Sequence, residues 1–194
     1  MAELIGFKKV KTAVFISGKG SNFLNLINHS KKKKSSFTIE LVLSNNKNAE
    51  GLKYARKFKI PFVVLNYKKK ENAEIKALKE LIKKKIKLIC LAGFMKILSA
   101  SFVQSFKGKI INIHPSLLPK YKGLSTHKRA IENHDRFSGC TVHYVNSKLD
   151  SGKIILQKKV KIFKNDNVDK LALRILKQEH KIYPLAIKKV ISNL

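Results

Sequence analysis

The chain has 194 residues, 44 % of them apolar, and a formal charge of +30. That length is enough for one fully cored domain spanning 1–194, and the composition excludes a disordered chain. No apolar run approaches the roughly 20 residues needed to cross a bilayer, and residues 1–11 hold no apolar stretch followed by a small-residue cleavage site; a cytoplasmic protein with no membrane partner is expected. In chain order, residues 12–17 read as a strand and 22–28 as the helix after it. A lysine-rich loop at 31–36 leads to a strand at 37–44. Residues 49–57 have helical spacing behind Asn48 as N-cap, and Pro61 introduces a strand at 62–65. A helix over 71–84 carries Ile75, Leu78, Leu81 and Ile82 as its apolar stripe. A buried strand at 88–92 follows, then a short helix capped by Ser99 and ending near Phe106, then a strand at 109–113. Residues 126–133 are helical, and 140–145 and 154–161 are strands. Asp166 and Asn167 cap a long last helix with Leu171, Ile175 and Leu176 on its apolar face. This alternation predicts an α/β fold: a Rossmann-like, mostly parallel sheet with helices on both faces and an antiparallel C-terminal extension.

The charge has two readings. Phosphate neutralisation along a nucleic acid is one. Compositional bias is the other, and the residue types favour it: 38 of the 42 basic residues are lysine, spread along the chain, whereas specific phosphate and base recognition favours the planar fork of arginine. No specific nucleic-acid partner is expected, although such a field attracts anionic substrates. Two cysteines, Cys90 and Cys140, form neither a disulfide framework nor a metal motif, and no metal is expected.

Three stretches carry candidate chemistry. Ser17-Gly18-Lys19-Gly20-Ser21-Asn22 joins the first strand to its helix; glycines let the backbone approach an anion, and the helix start offers unpaired N–H groups. It is neither a GxGxxG nor a Walker sequence. Asn112-Ile113-His114-Pro115-Ser116-Leu117-Leu118-Pro119 places an amide and an imidazole two residues apart at a strand end, where both can face one crevice, and then stiffens the backbone. Asp150 lies in an Asp-Ser-Gly turn, which is good turn chemistry in its own right. A carboxylate beside His114 would raise the imidazole pKa and favour its cationic form. Asn, His and Asp together suggest proton transfer at a carbonyl carbon.

With Leu91-Ala92-Gly93-Phe94-Met95-Lys96-Ile97-Leu98 and Gln178-Glu179-His180-Lys181-Ile182-Tyr183-Pro184, these motifs stand in the order found in the glycinamide ribonucleotide formyltransferases. The chain resembles that folate-dependent family over about residues 10–190. The resemblance implies the formyltransferase fold and transfer of a formyl group from 10-formyltetrahydrofolate, a co-substrate, to the amine of phosphoribosylglycinamide in purine biosynthesis. It implies Asn112, His114 and Asp150 as the catalytic trio and Gly20, Ser21 and Asn22 at the substrate phosphate. Glu179 falls at the amine substrate, and Met95, Lys96, Ile97, Leu98, Asn112 and Asn146 fall at the folate. His143 is read as lining the site. The partners implied are small molecules, with the chain a monomer or weak homodimer.

The chain also departs from the family. Around residues 67–75 it offers Lys68, Lys69 and Lys70 where relatives have a folate-contacting arginine, and Ser125 stands where a histidine is common. A deformylase would be expected to carry an additional N-terminal domain, and a tRNA formyltransferase a C-terminal RNA-binding domain, for which 194 residues leave little room. A basic RNA-binding module that has lost enzyme function is the remaining alternative.

Overall fold

A computed structural model describes residues 9–194; the reading of the N-terminal segment as free of a leader falls mostly outside that range. The strands are β1 (Val10–Ile16), β2 (Phe37–Ser44), β3 (Phe62–Val64), β4 (Leu88–Leu91), β5 (Lys109–His114), β6 (Phe137–Tyr144) and β7 (Ile154–Lys161). The helices are α1 (Ser21–Ser30), α2 (Leu52–Lys57), α3 (Lys70–Lys83), α4 (Ala100–Ser105), α5 (Thr126–Glu132) and α6 (Val168–Ile191). All seven strands form one sheet in the order β3-β2-β1-β4-β5-β6-β7. The first five run parallel, β6 runs antiparallel to β5 and β7 antiparallel to β6, as expected for the C-terminal extension.

Alternation along the inner strands feeds two cores. Val14, Ile16, Val42, Cys90, Ile111 and Val142 pack on one face with Phe23, Leu26, Leu52 and the inner side of α6. Ala13, Phe15, Leu41, Leu43, Ile89 and Ile110 pack on the other with Ala73, Ala77 and Leu81 of α3 and Phe102 of α4. A strand buried on both faces must be apolar, which is why β4 and the 13–16 half of β1 read as unbroken apolar runs. The outer strand β7 exposes Lys158, Lys159 and Lys161, charges that discourage edge-to-edge pairing.

Three details depart from expectation. The stripe of α3 is Ala73, Glu74, Ala77 and Leu81, while Ile75 and Ile82 are 46 % and 73 % exposed. The helix is turned by Glu74, whose carboxylate accepts from the backbone N–H and hydroxyl of Ser99, the cap of α4. Ile82→Gln should therefore change unfolding free energy by no more than about 0.5 kcal/mol, as measured by urea titration. Helix α2 begins after Gly51 rather than behind Asn48, because the Gly51 N–H is drawn to Gly18 O at 2.9 Å. Asn167 alone caps α6, accepting from Lys170 N at 2.9 Å; Asp166 instead binds Arg174 and the Phe163 N–H.

Strand order reverses between β1 and β4, and a crevice opens beyond their carboxyl ends, the usual ligand position in open α/β sheets.

Candidate active site

The loop after β1 forms one end of this crevice. Gly20 caps α1 in the left-handed region (φ 74°) and offers no side-chain cap, and the first turn of α1 has no acidic residue. Its leading N–H groups and partial positive charge suit an anion. The loop is clamped from below: a Cβ on Gly20 would lie 2.6 Å from Gly51 Cα, and Gly51 N–H holds Gly18 O. The Ser17 hydroxyl donates to Asn45 Oδ1 and accepts from Met95 N–H at 2.7 Å, so the same loop also fixes the segment after β4. A recess of about 220 Å³ lies over Ser17 to Asn22, bounded by Gly93 and Met95.

It joins a larger cavity of about 1090 Å³, where the other expected residues meet. Asn112, His114 and Asp150 line it, as do Ser21, Asn22 and Glu179. Met95, Lys96, Ile97 and Leu98 form one wall and Asn146 belongs to another. Gly20 lines only the smaller recess. Asn146 also shapes its own loop, since its Oδ1 accepts from Lys148 N and from the Ser151 hydroxyl, both at 3.0 Å.

Register explains the trio. Asn112 and His114 are two apart on β5, with Asn112 opposite His143 on β6. Asp150 is set by the β6–β7 turn, where it takes a positive φ of 44°. Asp tolerates that conformation better than most residues. A Cβ on Gly152 would lie 1.7 Å from Tyr144 O, so only glycine lets the turn close this tightly. Asp150 Oδ2 accepts from Gly123 N–H at 2.9 Å and lies 3.3 Å from His114 Nδ1. Asp150 Oδ1 lies 3.4 Å from Asn112 Nδ2. The Asn112 amide nitrogen is also 3.3 Å from His143 Nε2. The His143 Nδ1–H donates to Tyr144 O at 2.8 Å, while its Nε2 stands between the Asn112 amide and Asp150 Oδ1, the latter at 3.6 Å.

His114 is held by an acceptor on each side. Its Nε2–H donates to Tyr121 O at 2.9 Å, and Nδ1 faces Asp150. The expectation of a raised His114 pKa is corrected here: burial lowers it and outweighs the upward pull of Tyr121 O and Asp150. Burial also pushes Asp150 upward, but His143, the Gly123 N–H and His114 together hold it below its ordinary value. A second proton on the ring would land on Nδ1, against the Asp150 carboxylate. Burial likewise lowers His29, His127 and His180. Each of these groups binds fewer protons folded than unfolded, so stability should fall as pH drops below about 6.5. Glu179, raised by burial against the lowering effect of Asn22, opposes this only in the range above its ordinary carboxylate pKa. Urea midpoints at pH 7.5 and 5.5 in high salt, which screens the +30 charge, should show the decline.

Glu179 on α6 is buried and accepts from Asn22 Nδ2 at 2.7 Å, joining the last helix to the first. Asn22 Oδ1 is buried without a partner among the described residues. Sequence reasoning missed Ser17 as the tie between the two binding segments, Gly51 as the clamp and Gly123 as the N–H donor to Asp150. No local signal marks Gly51 or Gly123 for these roles, because what they touch is set by tertiary contact. Among the described residues no group of three or more His, Cys, Asp or Glu side chains could hold a metal ion, and no helix is long and apolar enough to cross a membrane.

The family model for formyl transferase matches residues 10–187, nearly the whole chain. The chain belongs to the formyl transferase family. The phosphoribosylglycinamide formyltransferase of Haemophilus influenzae is 45 % identical over 92 % of this chain and 85 % of its own length. The trifunctional purine biosynthetic protein adenosine-3 of Chironomus tentans is 45 % identical over 98 % of this chain, which spans only 14 % of that relative. The crystal structure of phosphoribosylglycinamide formyltransferase from Brucella melitensis superposes with a TM-score of 0.90 at 39 % identity, covering 96 % of this chain and 98 % of that one. The sheet order and the antiparallel C-terminal pair are thus those of a formyl transferase fold.

Proposed function

We propose that this formyl transferase moves the formyl group of 10-formyltetrahydrofolate onto the amine of phosphoribosylglycinamide, a step of purine biosynthesis. The observation that carries the reading is the convergence of Asn112, His114 and Asp150 in one cavity that also opens onto the anion loop at Gly20, Ser21 and Asn22. An anion site beside a proton-transfer cluster suits a phosphorylated amine. The apolar wall of Met95, Ile97 and Leu98 suits the flat rings of a folate, with Lys96 and Asn146 beside them.

In this account the neutral amine attacks the formyl carbon, and negative charge develops on the formyl oxygen. Asn112 turns an amide N–H from its long contact with Asp150 at 3.4 Å to that oxygen. The nascent ammonium gives its proton to His114 Nδ1, and Asp150 stabilises the imidazolium for that interval. The bond from carbon to folate nitrogen then breaks, the oxygen charge collapses to an amide, and the proton returns to the departing nitrogen. His143 holds the Asn112 amide in orientation. Glu179 and Asn22 border the ribonucleotide. No step requires a metal, and the setting we assign is a cytoplasmic monomer or weak homodimer acting on small molecules, with no specific nucleic acid.

The test runs the protein with formyl-folate in the presence and absence of phosphoribosylglycinamide and follows deformylated folate spectroscopically. Release only with the ribonucleotide supports the reading. Release in both reactions indicates a deformylase, and release in neither overturns it.

A further inference from the structure

Helix α6 carries a proline in its interior, Pro184, and runs unbroken past it. Proline has no N–H, so the carbonyl four residues earlier loses its helical partner. That carbonyl belongs to His180, and it is not left open: Asn25 Nδ2 of α1 donates to it at 2.8 Å. One turn earlier on α1, Asn22 Nδ2 donates to Glu179 Oε2 at 2.7 Å. Two asparagines three apart lie on one helix face and bind two successive residues of α6. One turn beyond Glu179 on the same side of α6, Tyr183 anchors the helix: its buried hydroxyl donates to Leu91 O at 2.8 Å, where β4 runs into the cavity wall.

We propose that Pro184 and Asn25 form a positioning latch. Pro184 frees the His180 carbonyl, Asn25 captures it, and the register of α1 against α6 is set so that Asn22 meets Glu179 beside the anion loop. The latch acts through Asn22 and Glu179 and does not itself touch substrate. Its effect falls on the ribonucleotide side of the cavity, since neither Asn25 nor Pro184 adjoins the wall at residues 95–98. This rests on the assignment of that side to phosphoribosylglycinamide.

The test is a cycle of Asn25→Leu, Pro184→Ala and the double variant. Asn25→Leu strands the His180 carbonyl. It should weaken ribonucleotide binding about fivefold to tenfold, the worth of one hydrogen bond, with kcat and the KM for formyl-folate unchanged. It should also speed hydrogen exchange at the amides of residues 22–26. In the double variant the new N–H at position 184 satisfies His180 O within the helix. Urea stability should then return toward wild type while ribonucleotide affinity stays weak. That split separates positioning from a merely structural role. Unchanged exchange in Asn25→Leu, an equal rise in both KM values, or recovery of affinity along with stability would each overturn the latch. If wild type binds no phosphoribosylglycinamide, the substrate assignment fails, and the exchange result still decides whether the latch holds α1.

Discussion

Asp150→Asn should lower kcat by about 10²–10⁴-fold, the usual contribution of positioned acid–base groups, with little change in either KM. The substitution keeps the shape that accepts Gly123 N–H at 2.9 Å and keeps contact with His114 Nδ1 at 3.3 Å. It removes the negative charge. His114 is already lowered by burial, and Asp150 is one of the two groups pulling it back. Without that charge, the imidazolium formed on accepting the amine proton has only a neutral neighbour in a buried site, where an unpaired charge is costly. His114→Asn should fall as far, and the double variant little further, because the pair acts as a unit. Steady-state kinetics of the three proteins, with ribonucleotide binding measured separately, distinguish this from loss of the site.

Gly20→Ala should raise the KM for the ribonucleotide by at least about tenfold and that for formyl-folate by less. Two independent costs meet there. The left-handed backbone at φ 74° penalises any L residue by about 1–2 kcal/mol. The new Cβ would stand 2.6 Å from Gly51 Cα, a backbone atom that moves only if α2 shifts, and overpacking of this kind costs about 1–3 kcal/mol. Relief must come from the loop between Ser17 and Ser21, which is the anion site itself. Urea unfolding should show a lower midpoint. Titration with the ribonucleotide should show the affinity loss even at temperatures where the variant is fully folded.

Much of this architecture was legible because local and tertiary demands coincide. β2 and β7 have the boundaries read from sequence, since apolar patterning and flanking loops change together at 37, 44, 154 and 161. Ser99 and Asn167 were recognisable caps, and each accepts the N–H three residues on. Asn112 and His114 were placed together by the two-residue period of a strand. Elsewhere tertiary contact prevailed over local pattern. Ile75 and Ile82 suggested the inner face of α3, but small Ala73 and Ala77 let the helix approach the sheet while Glu74 reaches Ser99. Asn48 is a good cap by composition, yet its N–H serves Asn46 Oδ1 and the helix waits for Gly51. The direction of the His114 pKa was not legible because a nearby carboxylate is visible in sequence, whereas depth of burial is not.

The most direct test of the central claim is transfer of a ¹³C-labelled formyl group, followed by NMR in wild type and Asp150→Asn. The account predicts that the label moves from the folate to the amide of formylated phosphoribosylglycinamide in wild type, and that the variant binds both substrates but leaves the label on the folate. Label appearing as free formate in wild type, or transfer at the wild-type rate by Asp150→Asn, would contradict it.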